Sequence, residues 1–330
     1  MLIDQYNRVH DYLRISLTDN CNLRCFYCMP EEDYAFMPNK QLMQKEEIVS
    51  IATLFVQQGV KKIRLTGGEP LVRKDAAEII QALGKLGVEL TITTNATRIH
   101  LFIDDLKNAG VKSINISLDT LKQEKFQLLT RRDQFNIVKD NIDLLLKNDF
   151  RVKVNMVVVK GMNEMEILDF IEWTKYIPIQ IRLIEFMPFD GNKWNSDKLV
   201  TLQEMLELIG GKYTITAAEN EPNDTSKRYK VDGHIGSFAI ISTMSAPFCS
   251  TCNRIRLTAD GKIKNCLFSS SETDLLTPFR AGADILPFIQ QSIASKHKEL
   301  GGQFSKEFEK IDVVFLDLNM PIMNGWEFLD

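Results

Sequence analysis

No apolar run in these 330 residues approaches the roughly 18 needed to cross a membrane, and the opening Met1-Leu2-Ile3-Asp4 lacks the basic-then-apolar pattern of a secretion signal. The expectation is a cytoplasmic protein with no membrane association. Excess positive charge is missing too. The formal net charge of −4 excludes general affinity for nucleic acid or anionic membrane, so any anion site has to be built locally. Cysteine is scarce: six are present, in two groups of three, Cys21, Cys25, Cys28 and Cys249, Cys252, Cys266, with none left over. An oxidised extracellular framework could also use six. Two tight odd-numbered groups in a chain without a secretion signal favour metal ligation instead.

Apolar content is ample at 44%, enough for one large α/β unit and a smaller appendage. The first two-thirds of the chain alternates β-branched runs with amphipathic stretches. Strands are expected over 12–17, 61–66, 89–94, 113–118, 152–159 and 179–185, and helices over 45–58, 75–86, 101–109, 134–148 and 164–176. Repeated strand–helix–strand units imply a parallel sheet with right-handed crossovers, curved into a partial barrel, with active-site residues at the carboxyl ends of the strands.

These strands carry cations where parallel strands are normally apolar: Arg14, Lys62, Arg64, Lys153 and Arg182. Lys62 and Arg64 are two apart and point to one side of the sheet. A single strand cation can snorkel to solvent at an edge. Several beside one lumen are costly to desolvate unless an anion neutralises them, and a polyphosphate would do so.

Beyond Met187-Pro188-Phe189-Asp190-Gly191 the pattern changes. A polar loop at 190–198, a short helix near 202–209 and a polar linker at 218–229 put a domain boundary near residue 215. Short strands over 235–266 carry the second cysteine group, with Arg254 and Arg256 on one strand side adding two cations. His234 or His297 could complete a zinc site there.

The C-x3-C-x2-C spacing of Cys21, Cys25 and Cys28 offers three ligands, whereas structural zinc takes four and ferredoxin-type clusters four cysteines. Three thiolates on a four-iron cluster leave one iron open; a zinc loop borrowing a distant fourth ligand is the alternative. With Tyr27 before Cys28, and Thr66-Gly67-Gly68-Glu69-Pro70 after the second strand, the chain resembles the radical SAM superfamily. The strand cations, the run Cys249-Ser250-Thr251-Cys252-Asn253-Arg254-Ile255-Arg256 and the later Cys266 narrow the resemblance. From about residue 5 to about 310 the chain is similar to the GTP 3′,8-cyclase family, the molybdenum cofactor biosynthesis A proteins.

The resemblance implies an α/β fold: a partial (βα)6 TIM-like radical SAM barrel over 1–215 and a smaller C-terminal [4Fe-4S] cluster domain over 216–310. It implies two [4Fe-4S] clusters, one on Cys21, Cys25 and Cys28, the other on Cys249, Cys252 and Cys266. S-adenosylmethionine would contact Tyr27, Gly68, Ser117 and Met187. GTP would be surrounded by Arg14, Lys62, Arg64, Thr93, Lys153, Arg182, Arg254 and Arg256, with Arg254 and Arg256 also catalytic and Arg256 steering later steps. The implied reaction converts GTP to 3′,8-cyclo-7,8-dihydro-GTP, the first step of molybdenum cofactor biosynthesis, with an electron donor and with cyclic pyranopterin monophosphate synthase downstream. Family members are often homodimers. Two alternatives stay open: another radical SAM enzyme with an auxiliary cluster, such as a peptide modifier, and a zinc-stabilised binding module.

The tail departs from the family pattern. Family chains end in two glycines that reach the active site, whereas Gly301-Gly302 are followed here by further residues, so turnover is expected to be impaired. Residues 311–330 resemble a fragment of a response-regulator receiver, with Asp317 at the phosphoacceptor position. Twenty residues are too few for a receiver domain, so a chimeric or misassembled frame, or an apolar tail, is expected rather than a phosphorylation site.

Overall fold

Apolar and polar residues alternate along the strands, and the alternation sorts them between two faces. In the strand Arg151–Val158, Val152, Val154, Met156 and Val158 are buried on one face while Lys153 and Asn155 are half-buried on the other. The computed structural model describes residues 1–29, 34–188, 192, 194–220 and 223–303. The receiver-like stretch 311–330, with Asp317, lies outside the described residues.

In chain order the elements are β1 (Tyr12–Ser16), α1 (Lys45–Gln57), β2 (Lys62–Thr66), α2 (Ala76–Gly84), β3 (Glu89–Thr94), α3 (Ile103–Asn108) and β4 (Ser113–Ser117). Then follow α4 (Gln123–Thr130), α5 (Phe135–Lys147), β5 (Arg151–Val158), α6 (Ile167–Trp173), β6 (Gln180–Glu185) and α7 (Leu202–Gly210). The remainder comprises β7 (Ile215–Ala217), β8 (Lys227–Val231), β9 (Ser237–Ile241), β10 (Arg254–Leu257), β11 (Lys262–Lys264), β12 (Thr273–Asp274), α8 (Leu276–Arg280) and α9 (Leu286–Ala294).

The twelve strands of the described residues form one sheet, ordered β12-β11-β10-β1-β2-β3-β4-β5-β6-β9-β8-β7. The run from β10 through β1–β6 to β9 is parallel, and an antiparallel hairpin extends each edge. The six expected strands are present within a residue or two at either end. The late strands β9 and β10 add themselves to β6 and β1, which short hydrophobic runs could not reveal. The expected linker at 218–229 instead leads into β8, and Asn223, Asp224, Thr225 and Ser226 within it line a cavity. Side chains of β1, β6 and β10 meet on that cavity, so the sheet curves into a partial barrel. Its outer face packs under the helices, with Leu13, Ile15, Phe55, Phe170 and Phe238 fully buried. Among the described residues no helix is long and apolar enough to cross a membrane.

The N-terminal segment folds back through an Ile3–Val9 bridge and clamps the end of the described chain. Asp4 accepts from Arg8 Nε at 2.6 Å and from His10 Nε2 at 3.0 Å, while the Arg8 guanidinium donates to the carbonyls of Cys249, His297 and Lys298, each at 2.8 Å. Burial, then the charge of Lys296, pushes His10 down to about 4 against the opposing pull of Asp4. The unfolded chain therefore takes up a proton below pH ~6.5 that the folded chain refuses until about pH 4. Stability from this group is complete above pH ~6.5 and falls by about 2 kcal/mol by pH 5. Denaturant titrations at pH 7 and pH 5 are expected to show that loss in the parent and a clearly smaller one in His10→Gln.

Candidate active site

Period-two alternation turns one side chain in two of each strand toward the barrel interior. On three neighbouring strands the inward position is arginine: Arg256 of β10 is in register with Arg14 of β1, and Arg14 with Arg64 of β2. Adjacent strands lie about 4.8 Å apart, so three guanidiniums form one row with nothing anionic between them. Tyr12 is in register with Arg254 and Lys62 one turn of the pleat below, and its ring lies under Lys62 and Arg64 at 5.4 and 5.7 Å. Lys153 and Arg182 close the arc from β5 and β6.

These side chains line one cavity of about 250 Å³. Arg14, Lys62, Arg64, Thr93, Lys153, Arg182, Arg254, Arg256, Met187 and the second thiol group all reach it. Burial, then Arg256, holds Arg14 well below its ordinary value. Burial brings Arg182 and Arg256 each to about 10, and Lys153 to about 8 with Arg182 and Arg64 adding to it. Burial would raise the Tyr12 phenol, yet Arg64, Arg14, Lys62 and Arg254 outweigh it and bring it down. The buried Nε of Arg14, Arg64 and Arg182 has no hydrogen-bond partner among the described residues. A buried donor left unpaired costs roughly 1–3 kcal/mol, more when charged, and this cavity repeats that cost three times. An anion with several acceptor oxygens is the ligand that relieves it.

The first thiol loop sits at the carboxyl end of β1. Tyr27, Gly68 and Ser117 gather at the carboxyl ends of neighbouring strands, outside the set of cavity-lining residues, as do Cys21, Cys25 and Cys28. Two N–H groups aim at one sulfur: Leu23 N at 3.4 Å and Asn95 Nδ2 at 3.7 Å from Cys21 Sγ. Burial pushes Cys21 up to about 11 and Cys25 and Cys28 above their ordinary value, with Asp119 adding to the latter two. Thiols so placed ionise only when a cationic centre takes the thiolate. All six cysteines are free. Among the described residues no three His, Cys, Asp or Glu side chains stand close enough to share a single ion. Three thiols carried on one short loop, Cys21, Cys25 and Cys28, are a donor set that suits an iron–sulfur cluster. His234 is not among the residues that line the cavity with the second group; its Nδ1 lies 2.9 Å from Thr174 Oγ1 and its ring packs edge-on against Tyr213.

The glycines after β2 approach the chain itself. Gly68 N donates to Thr18 O at 2.7 Å and Glu69 N to Asn20 O at 2.8 Å, and a Cβ on Gly68 would overlap the carbonyl oxygens of Asp19 and Asn20. The turn thus braces the backbone leading into the thiol loop. Gly68→Ala is expected to lose about 1–3 kcal/mol of stability by overpacking and to lower the iron retained after reconstitution, read by thermal unfolding and iron assay.

Several residues of the site escaped sequence reasoning. Asp119 accepts from Tyr27 Oη and from Val157 N at 2.8 Å, and burial raises it to about 6. Glu69, buried and raised to about 7, accepts from Leu71 N, Thr94 Oγ1 and Asn95 N, and so sets the amide that reaches Cys21. Asn115, oriented with Oδ1 inward, accepts from Arg64 Nη1 and, at 2.8 Å, from Arg182 Nη1. A rule that looks at the carboxyl ends of barrel strands would have found Asp119, two residues past β4; nothing in sequence marks Asn115.

A model of the radical SAM superfamily matches residues 15–174, and a model described as Molybdenum Cofactor Synthesis C matches residues 179–301. The chain is 49% identical to a mitochondrial GTP 3′,8-cyclase of Arabidopsis thaliana, over 86% of this chain and 74% of that one. It is 41% identical to a GTP 3′,8-cyclase of Listeria welshimeri, over 90% and 91%. It is 45% identical to the human molybdenum cofactor biosynthesis protein 1, over 98% of this chain and 52% of that one. The chain spans about half the length of several curated relatives it matches. Among solved structures, Streptococcus suis SuiB bound to S-adenosylmethionine shares the fold, with a TM-score of 0.58 at 18% identity over 88% of this chain and 68% of that one. Two family models spanning the barrel and the strands that extend it, and relatives matched nearly end to end, lead to one conclusion: the chain belongs to the GTP 3′,8-cyclase family of the radical SAM superfamily.

Proposed function

We propose that the chain is a radical SAM GTP 3′,8-cyclase that converts GTP to 3′,8-cyclo-7,8-dihydro-GTP, the entry reaction of molybdenum cofactor biosynthesis. The observation that carries this reading is the arginine row Arg256–Arg14–Arg64, with the buried Nε of Arg14 and Arg64 unpartnered on a cavity that also reaches Cys249, Cys252 and Cys266. A peptide substrate gives no reason for so many converging cations; a triphosphate does.

Superfamily membership brings S-adenosylmethionine and one [4Fe-4S] cluster, for which Cys21, Cys25 and Cys28 are the ligands and Tyr27, Gly68, Ser117 and Met187 the cofactor contacts in this reading. Together these groups supply, when bound, a deoxyadenosyl radical able to abstract a ribose hydrogen. The chain's own work is positional. Arg14, Lys62, Arg64, Lys153 and Arg182 anchor the triphosphate, Thr93 adds a hydroxyl beside Arg64, and the curved sheet keeps water from the ribose. In this reading Cys249, Cys252 and Cys266 would hold a second [4Fe-4S] cluster on the same cavity, and Arg254 and Arg256 beside them would act catalytically. The reading divides the chain near residue 215 into a radical SAM part, 1–215, and a second-cluster part, 216–310. It also includes an electron donor, homodimer formation and delivery to cyclic pyranopterin monophosphate synthase.

The test is equilibrium binding to the reconstituted protein. Saturable GTP binding that weakens steeply with salt, with guanosine bound far less tightly, supports the reading. Equal binding of GTP and guanosine would refute it.

A further inference from the structure

Each thiol group sits in an electrostatic field of its own. Around the first, Asp119 stands beside Cys25 and Cys28 and Glu69 beside Cys21, the Arg24 guanidinium donates to the Cys21 and Leu23 carbonyls rather than to sulfur, and the donors to sulfur are neutral. Around the second stands a buried ammonium, with Arg254 also beside Cys252 and Glu299 beside Cys249. Lys296 is 3% exposed, and its Nζ lies 3.4 Å from Cys252 Sγ and 2.9 Å from the carbonyl of Arg254. Leu300 N adds a contact to Cys249 Sγ at 3.5 Å.

Two features make Lys296 more than a chance neighbour. Among the described residues no carboxylate pairs it, and the ionisable groups it faces include Cys252, Cys266, Arg8 and His10. A buried ammonium without an acid is costly, so its counter-charge is the thiolate group. Its position is also over-determined: Gln5 Nε2 holds the Lys296 carbonyl at 3.1 Å, and Arg8, itself fixed by Asp4, holds the next two carbonyls and that of Cys249. The N-terminal clamp thus carries the ammonium to the sulfur.

We propose that Lys296 is a positioning residue that sets the reduction potential of the group held by Cys249, Cys252 and Cys266, keeping it easier to reduce than the group on the first thiol loop. The inference rests on the reading that these three cysteines hold a [4Fe-4S] cluster. A fixed positive charge in a low-dielectric surround stabilises the reduced, more negative form; ionised Asp119 beside the first loop does the opposite. The ammonium at Cys252 thereby makes the second centre the better electron acceptor of the two.

The test is an anaerobic redox titration of full-length reconstituted protein followed by electron paramagnetic resonance. Replacing Cys21, Cys25 and Cys28 with Ala leaves only the second centre to observe. In that background Lys296→Met is expected to lower the equilibrium constant for reduction at least tenfold, which is 59 mV for one electron. Lys296→Arg restores most of it, and Lys296→Gln repeats the effect if the Met variant fails to retain iron. An unchanged midpoint in a Met or Gln variant with normal iron overturns the role of Lys296 and leaves the second cluster standing. A background protein holding no four-iron centre overturns the second cluster, and the inference with it.

Discussion

Arg14→Met is expected to weaken GTP binding by about 2–4 kcal/mol, a factor of roughly 30 to 1000, and to make the ligand-free protein more stable. Both signs follow from one geometry. Arg14 sits between Arg256 and Arg64 in register, and its buried Nε has no partner. In the ligand-free protein it repels two neighbours and pays for its own desolvation, so an apolar side chain of similar length relieves the cavity. With a triphosphate bound, the same position loses a charge-assisted donor and leaves phosphate oxygen less well satisfied. Calorimetric binding and chemical denaturation read the two effects separately. A variant that loses affinity and stability together would show that Arg14 holds the barrel rather than the ligand.

Cys25→Ser and Cys252→Ser are expected to fail differently. Each removes one thiolate from a set of three, and each should cost about half of the reconstituted iron if both sets hold clusters. Cys25→Ser is expected to abolish formation of 5′-deoxyadenosine, because Cys25 lies in the loop that meets the Gly67-Gly68 turn. Cys252→Ser is expected to keep deoxyadenosine formation, uncoupled, and to lose the cyclised nucleotide, because Cys252 lines the cation cavity instead. Loss of deoxyadenosine in both variants would mean that the two thiol groups form one functional unit.

The early half of the barrel was legible in the sequence because each strand is a short β-branched run next to its own helix, and local pattern suffices for that. The cations were legible as an anomaly, since arginine on a parallel strand needs an explanation whatever surrounds it. What sequence could not show was pairing across the chain. Arg14 and Arg256 are register neighbours although nearly the whole fold separates them, and only the addition of β10 to β1 places them in one row. The stretch 218–229 read as a linker because its composition is polar, yet Asn223, Asp224, Thr225 and Ser226 line the cavity, where polar residues are equally at home. Asn115 and Lys296 were invisible for a related reason: a lone amide or a lone lysine acquires meaning only from the guanidiniums or the sulfur that folding brings beside it.

The most direct test is to reconstitute the protein anaerobically, supply S-adenosylmethionine, GTP and a low-potential reductant, and analyse the products by mass spectrometry. Formation of 5′-deoxyadenosine together with 3′,8-cyclo-7,8-dihydro-GTP is the predicted result. Deoxyadenosine formed at the same rate with and without GTP, and no cyclised nucleotide, would contradict the assignment of the arginine-lined cavity to GTP.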